Sequence, residues 1–330
     1  MRQSTLMSTP STRRTNVCHT LLRRRRAFLK AAIAAAAGSV AGGRLRATSA
    51  SESPSGRPAP FRLKYAPHFG MFRHLGGTNL LDQLRFAADQ GFRAWEDNGM
   101  KSRSVAMQNQ IAATMQKLGM EMGVISALRG VWNTVNFAGD DAAARRRILQ
   151  ALQEIVPVAL RVNAKYLTVV PGLADPKLAP EYQTANCIEL LERCCDIVEP
   201  HGLVMVLEPL NHRTNHPGVF LYGAPQAYFI CRAVDRPSCK ILFDIYHQQI
   251  TEGNLIPNID RCWDEIGYFQ CGDHPGRKEP GTGEIGYANV FRHLKDKGYQ
   301  GIVGMEHGNA RPGAEGERAV IEAYRRVDPT

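Results

Sequence analysis

Four short apolar runs in the second half of the chain each lead into a residue that can hold a metal ion through oxygen. They are Val204–Leu207 into Glu208, Ile241–Phe243 into Asp244, Tyr268–Phe269 into Gln270, and Ile302–Met305 into Glu306. The four candidates lie 36, 26 and 36 positions apart, about the length of one strand plus one returning helix. Oxygen donors that include three carboxylates suit a hard divalent cation, Mg²⁺ or Mn²⁺, better than Zn²⁺, which recruits His or Cys. Two glutamates beside such a cation are equipped to move a proton between adjacent carbons. One carboxylate removes it and another group returns it, while the cation polarises the carbonyl and stabilises the enediolate. This is isomerisation of an α-hydroxy carbonyl compound, such as aldose to ketose. A single carboxylate after an apolar run is commonly a helix cap; four in succession describe a site.

Further polar residues follow the same runs. His212 and Arg213 come shortly after Glu208, and His247 is three residues beyond Asp244. Arg277 sits in a glycine-rich loop after the Gln270 run, where its guanidinium could bind a substrate carboxylate in a bidentate pair; a solvated loop charge is the plainer alternative. His247 could contact substrate or orient another group. Lys278, Glu279 and Glu284 read as loop-organising or surface residues, and His68 and Trp132 as pocket walls, core packing or a lid.

The elements that must position these residues are legible as alternation. Expected strands are Leu63–Pro67, Ala94–Glu96, Met122–Ser126, Tyr166–Pro171, Val204–Glu208, Ile241–Asp244, Tyr268–Cys271 and Ile302–Glu306. Stretches of helical spacing lie between them, such as Leu80/Leu84/Ala87/Ala88 and Met107/Ile111/Met115/Leu118. Gly91, Gly119, Gly202 and Gly298 each stand between a helix and the next strand, where a left-handed residue closes a helix end. Eightfold βα alternation predicts an α/β fold of one closed parallel barrel, (β/α)8, over residues 61–330. In such a barrel all strands open at their C-terminal ends onto one face, which brings the four ligand candidates together. No glycine-rich phosphate loop follows the first strand, which removes the common nucleotide-binding folds.

The net charge of +10 suggests nucleic acid until its location is considered. Ten of the 41 Lys and Arg residues fall within residues 1–50, which contain no Asp or Glu, so the remainder carries 31 basic and 31 acidic residues. A formally neutral body removes the main support for nucleic-acid binding. The basic segment has the layout of an export signal: a basic start, an apolar stretch from Ala31 to Ala41, then small residues up to Ala50. Arg25-Arg26-Ala27-Phe28-Leu29-Lys30 resembles the twin-arginine signature, with Arg24 where Ser or Thr is usual. We therefore expect a signal over residues 1–50, cleaved after Ala47 or Ala50, a linker over 51–60, engagement of the twin-arginine export machinery, and a periplasmic or extracellular mature protein. The apolar stretch is too short and too bland to span a bilayer. Seven cysteines remain beyond Cys18, without zinc-like CxxC pairs, and are expected as small buried hydrophobes.

Three segments are distinctive. Leu207-Glu208-Pro209-Leu210-Asn211, Phe243-Asp244-Ile245-Tyr246-His247-Gln248-Gln249-Ile250 and Pro275-Gly276-Arg277-Lys278-Glu279-Pro280-Gly281-Thr282-Gly283-Glu284-Ile285 closely resemble the hydroxypyruvate isomerase family, one of the xylose isomerase-like barrels. The resemblance is specific over Val204–His307 and continues more loosely back to about Phe61. It implies a divalent metal held by Glu208, Asp244, Gln270 and Glu306, with Glu208 and Glu306 as the acid–base pair. It also implies that His247 and Arg277 contact substrate oxygens, Arg277 the carboxylate. Gln270 fits the isomerase branch, since related ketose epimerases usually carry His there. Lys278, the residues flanking Glu306 and the second-strand end Trp95-Glu96-Asp97-Asn98 depart from the family pattern.

The expected activity is interconversion of a small α-hydroxy aldehyde and ketone, with hydroxypyruvate and tartronate semialdehyde as the leading pair. Alternatives are an epimerase or isomerase of a larger sugar or oxo-sugar acid, a barrel endonuclease, and an exported carbohydrate-binding barrel without catalysis. Oxygen ligands and a neutral body argue against the endonuclease, and the paired glutamates against the binding module. A small hydroxy-carbonyl molecule is the expected partner, with self-association into a homo-oligomer left open.

Overall fold

The computed structural model describes residues 58–130 and 132–330; the expected signal and residues 51–57 of the expected linker lie outside them. The strands are β1 (Lys64–Ala66), β2 (Ala94–Trp95), β3 (Glu121–Met122), β4 (Ile125–Ser126), β5 (Tyr166–Val169), β6 (Val204–Leu207), β7 (Cys239–Asp244), β8 (Ile266–Cys271) and β9 (Ile302–Met305). Helices α1 (Leu80–Asp89), α2 (Val105–Leu118), α3 (Ala142–Arg161), α4 (Pro180–Val198), α5 (Ala224–Val234), α6 (Ile245–Thr251), α7 (Leu255–Cys262), α8 (Tyr287–Asp296) and α9 (Gly313–Val327) return the chain between or after them.

Every ladder is parallel, and the sheet runs β1-β9-β8-β7-β6-β5-β4, with β2 paired to β3. A parallel bridge between His68 and Glu96, with Glu96 N–H donating to the Pro67 carbonyl at 2.9 Å, joins the β1 and β2 segments. The ring therefore closes as an eight-position α/β barrel. One expectation is corrected: Met122–Ser126 is not one strand. Its first half pairs with β2 and its second with β5, so the ladder is interrupted at Gly123 and Val124 where the chain changes partner. Gly123 N–H donates to the Trp95 carbonyl at 2.7 Å across that break.

Local chemistry explains the helix ends. Asn79, Ser104 and Asp141 cap α1, α2 and α3 by accepting from backbone N–H groups one turn in. Pro180 opens α4, where a missing N–H costs nothing. The four junction glycines all have positive φ, as their positions require. No helix among the described residues is long and apolar enough to cross a membrane.

Apolar packing has two parts. The larger cluster fills the space between strands and helices and includes all seven described cysteines, each free and buried. The smaller one, Ala66, Ala94, Val124, Val206, Leu242, Tyr268 and Ile302 with Tyr166 against it, fills the barrel interior. Each barrel position contributes one inward side chain to this tier, so the barrel is a packed core and not a pore.

Candidate active site

Side chains alternate along a strand, so residues two beyond the apolar tier also point inward. Those positions are His68, Glu96, Ser126, Thr168, Glu208, Asp244, Gln270 and Gly304, with Glu306 one step further. The second tier is thus polar around the ring, apart from one glycine. Asp244 is paired with Gln270 in register, and Gln270 with Gly304. Ser126, Thr168 and Glu208 of this tier line a cavity of about 500 Å³, together with His247, Arg277, Glu306 and Trp132.

Asp244 ends β7 and also starts α6. Its Oδ1 accepts from Tyr246 N–H at 2.8 Å, which leaves Oδ2 for Arg277 Nη2, 3.2 Å away. Glu208 follows β6 and is buried, with its backbone N–H on the Val169 carbonyl. Burial, then the nearby Glu306 and Asp244 carboxylates, push its pKa well above the usual carboxylate range. Glu306 is raised to about 7, chiefly by desolvation, although Arg277 opposes the shift. Carboxyl groups with raised pKa values at the mouth of a barrel are suited to proton exchange.

Arg277 lies in the loop after β8 with φ of 51°, an unusual conformation for a side chain of this size. Asp273 organises that loop: its carboxylate accepts from the backbone N–H groups of Gly281, Gly283 and Ile285. Gly283 is required there, because a Cβ would overlap the His274 carbonyl. Glu279 ties the loop to the last strand's loop through Ala310 N–H at 2.8 Å. The guanidinium of Arg277 is directed at protein carboxylates, 2.8 Å from Glu306 Oε2 as well as 3.2 Å from Asp244, and lies over the Tyr246 ring.

Glu208, Asp244 and His247 each place one ligand-type atom within 4.8 Å of the others. The histidine differs from the two carboxylates. Its Nδ1 faces Asn211 twice, the backbone N–H at 3.1 Å and Nδ2 at 2.7 Å. The Asn211 amide is itself fixed, since its Oδ1 accepts from Thr214 and Asn215 N–H. Two donors on Nδ1 leave the ring proton on Nε2. That Nε2 lies 3.8 Å from Glu208 and 3.6 Å from Asp244, and burial lowers the imidazole pKa to about 4. His247 is therefore a neutral donor aimed into the site, and not a lone pair offered to a cation.

Gln270 supplies a better fit. Its Nε2 donates to Glu96 Oε1 at 2.5 Å, while its Oε1 is buried with no hydrogen-bond partner. A buried orphan oxygen on the residue paired in register with Asp244 suits a hard cation. Glu208 and Glu306 line the cavity, Gln270 lies in register beside Asp244 beneath it, and Arg277 engages both Asp244 and Glu306. Trp132 packs edge-on against His216 at the cavity wall, whereas His68 reaches the His307 carbonyl. His212 lies tilted against the Tyr222 ring, and Arg213 donates to the Thr251 carbonyl.

Sequence reasoning did not single out Glu96, Asn211 or Asp273. Glu96 carries the same signal as the four ligand candidates, a carboxylate closing the apolar run Ala94–Trp95.

A parallel barrel whose strand ends gather carboxylates and an amide oxygen defines an α/β-barrel enzyme. The family model for the xylose isomerase-like TIM barrel matches residues 84–327, and the chain belongs to that family. It is 32% identical to hydroxypyruvate isomerase of Escherichia coli (strain K12) over 180 residues, 52% of this chain and 69% of that one. It is 28% identical to 2-oxo-tetronate isomerase of Cupriavidus necator over 232 residues, 69% of this chain and 86% of that one. These relatives make it an isomerase. Among solved structures, an AP endonuclease, family 2, from Brucella melitensis superposes with a TM-score of 0.68 at 24% identity, covering 79% of this chain and 99% of that one. At that identity the likeness concerns the fold alone.

Proposed function

We propose that this isomerase interconverts a small α-hydroxy aldehyde and the corresponding ketone, with hydroxypyruvate and tartronate semialdehyde as the leading pair. The observation that carries the reading is the pairing of Glu208 with Asp244, ligand atoms within 4.8 Å of each other and close to Glu306, while Gln270, in register beside Asp244, holds a buried orphan Oε1. A divalent cation, Mg²⁺ or Mn²⁺, held by Glu208, Asp244, Gln270 and Glu306 would supply carbonyl polarisation and charge stabilisation. The chain's own residues do the rest. Glu208 and Glu306, both with raised pKa values, exchange the proton between the two carbons. His247 Nε2–H donates to a substrate oxygen. Arg277, which lines the same cavity, takes the substrate carboxylate. Relatives named for hydroxypyruvate and for 2-oxo-tetronate support a short oxo-acid substrate.

A second reading rests on the cavity. Its volume of about 500 Å³ leaves room beyond a three-carbon acid, which favours a longer sugar or oxo-sugar acid. Incubating the protein in D₂O with a panel of hydroxy-aldehydes and hydroxy-ketones of three to six carbons, and following interconversion and deuterium incorporation by NMR, separates the two. Turnover of three-carbon acids alone supports the first reading, preference for longer ones the second, and no exchange on any panel member removes both. For residues 1–50 we propose twin-arginine export to the periplasm or exterior; a double Arg25→Lys, Arg26→Lys variant still exported and processed would overturn it.

A further inference from the structure

We propose that Glu96 is a positioning residue that sets which end of the Gln270 amide faces the metal site. The inference rests on the metal reading above and adds a residue to it.

Glu96 is buried inside the barrel, 3% exposed, and both of its oxygens are engaged by side chains of β8. Oε1 accepts from Gln270 Nε2 at 2.5 Å, and Oε2 accepts from the Tyr268 hydroxyl at 3.2 Å. An amide has one donating and one accepting end. When Nε2 is drawn to Glu96, Oε1 must point the other way, where it has no protein partner. In the reversed orientation, two acceptor oxygens would meet at the contact with an ionised Glu96, and an N–H group would face the cation. The orientation of Gln270 as a ligand is therefore decided at the end of β2, three barrel positions away from β8.

The barrel is built to admit this acid. Glu96 Oε2 occupies the place where a Cβ on Gly304 would stand, and that Cβ would also press on Gln270 Cγ at 2.9 Å. The Tyr268 hydroxyl likewise occupies the place of a Cβ on Gly123. Two glycines, Gly304 on β9 and Gly123 in the break between β3 and β4, thus leave the space that the Tyr268–Glu96–Gln270 chain fills. Groups orienting a metal ligand typically alter metal affinity by 10–100-fold when removed.

The test uses the full-length protein and Mn²⁺ alone, with binding read by electron paramagnetic resonance and thermal melting as the check on folding. Glu96→Leu removes the acceptor and should weaken Mn²⁺ binding by roughly 10–100-fold. Glu96→Gln offers a carbonyl to Gln270 Nε2 and an N–H₂ to the Tyr268 oxygen, and should stay near wild type. In a Gln270→Leu background, adding Glu96→Leu should cost little more, because its route is already gone. If Glu96→Leu does not fold, Glu96→Ala takes its place. Wild-type affinity in Glu96→Leu, equal weakening in Glu96→Gln, or a full additional loss in the double variant each overturns the inference. Absence of Mn²⁺ binding by the wild type instead overturns the metal reading on which it rests.

Discussion

Asn211 presents two donors, its backbone N–H and its Nδ2, to the single Nδ1 atom of His247, across 36 residues of sequence. This one contact fixes the imidazole tautomer. The buried ring holds its proton on Nε2, facing Glu208 and Asp244. ¹⁵N–¹H NMR of the imidazole nitrogens should show protonated Nε2 and bare Nδ1 from pH 6 to 8. A spectrum with the proton on Nδ1 would remove His247 as a donor into the site.

Proton transfer makes a kinetic prediction. Glu208→Gln and Glu306→Gln each keep size and one oxygen but lose the carboxylate that exchanges the proton. General acid–base groups are worth typically about 10²–10⁴-fold, so each variant should lose roughly that factor in kcat. Deuterium exchange at the substrate carbon should slow in parallel. Near-normal turnover in both variants leaves a metal-binding barrel without this mechanism.

Arg277 divides the substrate classes. Arg277→Ala should penalise oxo-acids by roughly 10–100-fold or more in kcat/KM, through loss of a charge-assisted pair worth about 1.5–3 kcal/mol, and neutral sugars much less. Equal losses on both kinds of substrate place Arg277 with the protein carboxylates it faces here, and favour the neutral-sugar reading.

The raised Glu306 pKa has a sign that can be checked by stability. A carboxyl whose folded-state pKa lies above its unfolded value stabilises the fold at low pH, and loses that contribution as pH rises through about 7. His247 and His307, held at about 4 and about 3 by burial, act in the opposite sense: their contribution is lost as pH falls below about 6.5. The difference between wild type and Glu306→Gln isolates the acid. With chelator present, the Tm of the variant minus that of the wild type should grow from pH 5 to pH 8. A flat difference means the carboxyl titrates normally.

Much of the frame was legible in the chain because strand and helix alternate with clear punctuation. The inward residues of β6, β7 and β8 end their runs with side chains unlike anything in the apolar tier below. What escaped depends on partners distant in sequence. Glu96 shows the same local pattern, but Ser126 and Thr168 end the next two positions, so it did not join a run of carboxylates. Asn211 stands in a segment already recognised as distinctive, yet its contact is made only when α6 places His247 against it. The break at Gly123 follows from a change of hydrogen-bonding partner, which no local propensity encodes.

Gly304 leads to a further consequence. The room for Glu96 is created by an atom that β9 lacks, so position 304 is not free to vary on its own. A side chain at 304 evicts the acid, and a smaller residue at 96 leaves a void lined by Gln270 and Tyr268. Descendants of this chain can gain a side chain at 304 only after a change at 96 has cleared the space.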